Sequence, residues 1–108
     1  MIFDTHSHCY WDTLLPRIDE VVENMTTSSV SKAVQIGCDI ETSEQAIALA
    51  QRFTGVFYAT VGYHPENAQD CGDYRVITDF EKLLLENREH IVAIGETGLD
   101  FHYLDGSE

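Results

Sequence analysis

Basic residues are scarce. The chain of 108 residues carries 6 Lys+Arg against 19 Asp+Glu, a formal net charge of -13. Such a surface repels a phosphate backbone at long range, which excludes a nucleic-acid binder working through lysine and arginine alone. Any handling of phosphate then has to rest on bound metal ions that invert the local field. Cysteine is sparse as well. Cys9, Cys38 and Cys71 lie far apart with no Cys-x-x-Cys pair. An odd, scattered set excludes a disulfide framework and fits a reducing compartment. No apolar run reaches the roughly 18 residues of a membrane span, and no signal peptide opens the chain, so a cytoplasmic protein is expected. Linkers, internal repeats and low-complexity segments are absent too.

What remains is an ordinary globular composition, 44% hydrophobic and 23% charged. Short apolar runs alternate with amphipathic stretches. Residues 1–4 read as a buried first strand. Leu14, Leu15, Ile18, Val21, Val22 and Met25 recur at steps of three and four, the stripe of a helix on a sheet, with Pro16 in its first turn. Residues 33–37 form a second strand, and Gly37-Cys38-Asp39 turns out of it. A second helix begins near Thr42, with Gln45 at capping-box spacing, and Gly55 stops it. Residues 56–62 read as a third strand and 66–73 as a polar loop. Thr78 and Glu81 give a second capping-box spacing, for a helix running to about residue 87. Residues 91–95 form the fourth strand. This alternation implies parallel strands joined by right-handed crossovers, with residues 1–108 as one domain.

In parallel α/β folds, function gathers at the C-terminal ends of the strands. The first strand ends in Asp4-Thr5-His6-Ser7-His8. Strand alternation turns His6 and His8 to one side, a bidentate grip for zinc, manganese or iron. Asp4 shares that alternation and is placed to orient a histidine from behind. Cys9 points the other way and reads as an inert thiol. The second strand ends in Gly37, Cys38 and Asp39, the third in Gly62, His64 and Pro65, the fourth in Glu96 and Asp100. Three histidines and a glutamate thus converge on one rim. His64 balances between turn residue and functional group, and Asp100 reads as a capping or supporting residue. Tyr10 and Trp11 read as packing over the rim rather than as a base-stacking platform.

Asp4-Thr5-His6-Ser7-His8, Gly62-Tyr63-His64-Pro65 and Gly95-Glu96-Thr97-Gly98-Leu99-Asp100-Phe101 stand in the order and approximate spacing of the TatD family of metal-dependent deoxyribonucleases. Gly37-Cys38-Asp39 shares in the likeness, and the chain resembles that family over essentially its whole length. The resemblance implies an α/β metal-dependent hydrolase of the TIM-barrel type, a (β/α)₈ barrel of which this chain is the first four β/α units, a half barrel. By the family pattern His6 and His8 hold one metal, Glu96 is the catalytic carboxylate bridging two, and His64 contacts the substrate phosphate. The cofactors implied are two divalent ions (Mg, Mn or Zn). The implied reaction is hydrolysis of DNA phosphodiesters by a metal-held hydroxide, the second ion supporting the leaving oxygen.

The chain also departs from the pattern. A barrel of this class takes about 250 residues. The family's remaining ligands, two further histidines and a late aspartate, have no counterpart here. His90 precedes the fourth strand, at the wrong end, and His102 does not match a ligand position. The second metal site is then incomplete without a C-terminal half, and four strands leave two open edges and an uncovered inner face. Self-association, or pairing with the missing half, is the partner expectation beside DNA; a membrane is not expected. Two alternatives stay open, a metal-dependent hydrolase of amides, esters or lactones, and a non-catalytic half-barrel assembly module.

Overall fold

The computed structural model describes residues 1–101, the side chains of residues 68–71 excepted. His102 lies outside the described residues. Strand β1 (Ile2–Ser7), helix α1 (Ile18–Thr27), β2 (Val30–Gln35), α2 (Ile40–Arg52), β3 (Phe57–Val61), α3 (Tyr74–Glu86) and β4 (Ile91–Ile94) follow one another. The strands form one parallel sheet in the order β1-β2-β3-β4.

The core lies between the sheet and its helices. Phe57, Ala59 and Val61 alternate along β3 toward Ala46, Leu49 and Ala50 of α2, and all six are buried. Burying one such large side chain stabilises by roughly 1.5–3 kcal/mol. The other sheet face is open. Phe3 is in register with Lys32 and Val34 with Tyr58. The Phe3 and Tyr58 rings lie 6.3 Å apart, and Lys32 Nζ donates to the Tyr58 hydroxyl at 2.9 Å. Phe3 of β1 and Val92 and Ile94 of β4 are half-exposed or more. The first strand, expected to be buried, is therefore exposed, because it is an edge strand with β2 alone beside it.

Several boundaries differ from the sequence reading, each for a local reason. β1 runs to Ser7, so His6 lies inside it. β2 starts at Val30, directly after Ser29, which turns the chain at φ 64°. The α2 cap is Asp39, not Thr42. Asp39 is extended, its carboxylate accepts from Thr42 N–H at 2.8 Å, and the Thr42 hydroxyl accepts from Asp39 N–H at 3.0 Å. Thr42 is thus the inner partner of the box. α3 starts four residues before Thr78, because Asp73 accepts from Arg75 N–H at 2.9 Å. Thr78 is interior, its hydroxyl donating back to the Tyr74 carbonyl at 3.3 Å. The expected loop at 66–73 is a 3-10 helix, Pro65–Gly72, opened by a proline whose fixed φ suits a first turn. Pro16 likewise sits in a 3-10 turn, Leu15–Arg17, leading into α1.

Candidate metal centre

The strand ends are laced together by polar contacts. Gln35, fully buried, reaches from β2 to the segment leaving β1. Its Oε1 accepts from Cys9 N–H at 2.7 Å and its Nε2 donates to Ser7 Oγ at 2.8 Å. Thr60 of β3 does the same for β4, donating to the Gly95 carbonyl at 2.8 Å and accepting from Gly37 N–H at 3.2 Å. Glu96 N–H donates to the Gly37 carbonyl at 3.1 Å, and His64 N–H to that of Cys38 at 2.8 Å. A Cβ on Gly62 would fall on the Gly95 carbonyl, so only glycine lets β3 and β4 close this tightly. Glu96 is thereby fixed by its backbone before its side chain does anything.

His6, His8 and Glu96 each present one donor atom, all within 4.8 Å of one another. His6 Nε2 and His8 Nε2 are 3.2 Å apart. Glu96 Oε2 is 3.6 Å from His6 Nε2, and Oε1 is 3.3 Å from His64 Nε2. The carboxylate therefore faces the histidine pair with one oxygen and His64 with the other.

Hydrogen bonding settles two tautomers. Tyr10 has one hydroxyl proton and donates it to the buried Ile36 carbonyl at 2.6 Å. His8 Nδ1 is 2.8 Å from that hydroxyl oxygen, so Nδ1 carries the proton and the Nε2 lone pair faces His6. Burial, helped by the neighbouring His6, holds the His8 imidazole below its usual pKa, while Glu96 pulls it back up. Burial pushes the Tyr10 hydroxyl up, so it keeps its proton. In His64 the order is reversed. Nδ1 accepts from Glu66 N–H at 3.0 Å, so the neutral ring carries its proton on Nε2 and donates toward Glu96.

These residues fit a divalent ion. Two nitrogens bound at 2.0–2.1 Å to one tetrahedral ion lie about 3.3 Å apart, close to the 3.2 Å found here. His8 also has the protein acceptor behind its ring that ligand histidines use. Neutral imidazoles and a carboxylate are a donor set for zinc or manganese.

The other sequence candidates are placed as follows. Asp4 does not touch an imidazole; its carboxylate accepts from His6 N–H at 3.0 Å and so acts on the backbone. Asp100 is partly buried beyond Gly98 and is not one of the three clustered donors. Cys9 is buried, and burial raises its thiol pKa, as it does for Cys38. His90 is at the opposite end of β4, where its carbonyl accepts from Ala59 N–H at 2.8 Å. Sequence reasoning missed Gln35, Thr60 and the Tyr10 hydroxyl. For Gln35 the signal was present, a lone amide inside the apolar run Ala33-Val34-Gln35-Ile36.

A family model described as TatD related DNase matches residues 3–108. An uncharacterized metal-dependent hydrolase of Mycoplasma genitalium is 33% identical over 101 residues, 94% of this chain and 38% of that protein. The uncharacterized metal-dependent hydrolase YabD of Bacillus subtilis is 33% identical over 103 residues, 95% of this chain and 39% of its own length. The 3'-5' ssDNA/RNA exonuclease TatD of Cronobacter sakazakii is 34% identical over 84 residues, 78% of this chain and 30% of that one. The chain thus spans less than two fifths of each of these relatives. The crystal structure of a TatD family hydrolase from Entamoeba histolytica superposes with a TM-score of 0.82 at 21% identity, covering 99% of this chain and 40% of that one. The four parallel strands and their helices have the fold of part of that hydrolase, the half barrel expected from the sequence. Matched by the family model along nearly its whole length, the chain belongs to the TatD related DNase family.

Proposed function

We propose that this chain is the first half of a divalent-metal-dependent phosphodiesterase acting on DNA, with a dinuclear site completed by residues outside it. The observation that carries this reading is the meeting of His6, His8 and Glu96 donors within 4.8 Å at one strand rim. His6 and His8 hold the first ion through Nε2. Glu96 would be the carboxylate shared between two ions; its Oε2 faces His6 and its Oε1 faces His64. When bound, divalent ions polarise a phosphoryl oxygen and lower the pKa of a coordinated water, as hydrolysis requires.

The protein side chains do the rest of the work proposed here. Tyr10 keeps the proton on His8 Nδ1 and so leaves the Nε2 lone pair free to hold an ion. His64, with Nδ1 occupied by Glu66 N–H, has Nε2–H directed at Glu96 Oε1, and would serve a phosphate oxygen once a bound ion draws that carboxylate oxygen away. Asp4 holds the His6 backbone, and Asp100 supports the loop beyond Glu96. Exposed Phe3, Val92 and Ile94 mark the sheet face and edges that a second half covers, whether the rest of a barrel or another copy. The name of the Cronobacter relative, a single-strand exonuclease, favours nucleic acid over amides, esters or lactones as substrate.

The test is substrate choice. Completed by its second half and supplied with Mn²⁺, the protein is expected to release nucleotides from single-stranded DNA and to leave aryl esters and lactones intact. Glu96→Ala is expected to abolish release. Ester or lactone turnover without DNA cleavage would overturn the reading.

A further inference from the structure

The chain has a single tryptophan, Trp11. Expected as packing, it is instead 56% exposed. Its indole lies flat on the His8 ring, with centroids 4.9 Å apart and planes within 8°. One face meets a residue of the candidate metal cluster, so a stacked ligand would take the other. The ring is carried on a hydrogen-bonded turn. Trp11 N–H donates to the His8 carbonyl at 3.2 Å, and the Trp11 carbonyl accepts from Leu14 and Leu15 N–H at 2.8 Å each. A broad, fixed π-face therefore stands one ring away from the candidate metal centre.

The charge distribution gives that face a use. Arg17, Arg52 and Arg75 are paired with Glu20, Asp19 and Asp73, and Lys32 is engaged by Tyr58. These four cations are already engaged by the protein's own groups, so a nucleic-acid strand gains little from them. Base stacking is a neutral source of affinity that works with any base.

We propose that Trp11 is the platform on which a nucleobase of a single-stranded oligonucleotide stacks while the adjoining phosphodiester lies at His6, His8 and Glu96. This rests on the phosphodiesterase reading above. Bases within a duplex are already stacked on both faces, so the platform favours unpaired strands and reads no sequence.

Trp11 fluorescence reports on its own site. The Mg²⁺-loaded chain is titrated with tetrathymidylate and with an abasic tetramer of equal charge. Saturable quenching by tetrathymidylate is expected, with the abasic strand binding about 5- to 150-fold more weakly. By anisotropy of labelled strands, Trp11→Ala should bring tetrathymidylate down to the abasic level while abasic and Mn²⁺ affinities hold, and Trp11→Tyr should restore most of the difference. If both strands bind alike, or Trp11→Ala weakens both together with the metal, Trp11 merely supports His8 and the platform is overturned. If, with the second half supplied, neither strand binds and no DNA is cleaved, the phosphodiesterase reading falls, and the platform with it.

Discussion

His8 faces the candidate metal position with a lone pair because of a relay of three groups. The Ile36 carbonyl takes the Tyr10 proton, the Tyr10 oxygen takes the His8 Nδ1 proton, and Nε2 is left bare. Tyr10→Phe keeps the ring and removes the relay. The outer partner of a ligand histidine is worth about 10- to 100-fold in metal affinity, and a loss of that size is expected by calorimetry, with the far-ultraviolet circular dichroism unchanged. Glu96 and Asp100 separate in the same assay. Glu96→Ala removes a clustered donor and should lower metal affinity far more than Asp100→Ala. Equal losses would count against a bridging Glu96.

Among the elements, Gln35 is the fastener between β2 and the segment that carries His8. Gln35→Leu keeps the volume but leaves the Cys9 N–H without its acceptor. Burying an unpaired donor costs about 1–3 kcal/mol, which should appear as a lower denaturant midpoint, together with weaker metal binding as the His8 segment loosens. Strand positions and helix stripes were legible in the sequence because short apolar runs and the three-and-four step of amphipathic helices stand out in an alternation of strand and helix. The helix starts were not. Capping depends on which carboxylate meets which N–H, and Asp39 and Asp73 beat the threonines that matched the spacing rule. The histidine pair was legible for a reason that holds only in part. Strand alternation places His6, but β1 ends at Ser7 with its register broken after Asp4, and His8 reaches the cluster from the turn beyond. Tyr10 and Thr60 were illegible because their roles need neighbours 26 and 35 residues away.

For the molecule as a whole, charge and openness decide most. With 6 Lys+Arg against 19 Asp+Glu, this chain offers few cations for counterion release on the strand binding proposed above. A basic nucleic-acid binder loses about 10³- to 10⁵-fold in affinity between 50 and 200 mM salt. Here the affinity for a single-stranded oligonucleotide is expected to hold or rise over that range, as repulsion is screened, when followed by anisotropy. A steep loss would show that arginine and lysine contacts dominate after all. The proposed metal centre underlies every functional step proposed above, so the most direct test is calorimetric titration of the chain with Mn²⁺ and Zn²⁺ beside His6→Ala/His8→Ala. The assignment predicts binding to the chain that disappears in the double variant. Equal binding by both proteins, or none by either, would contradict it.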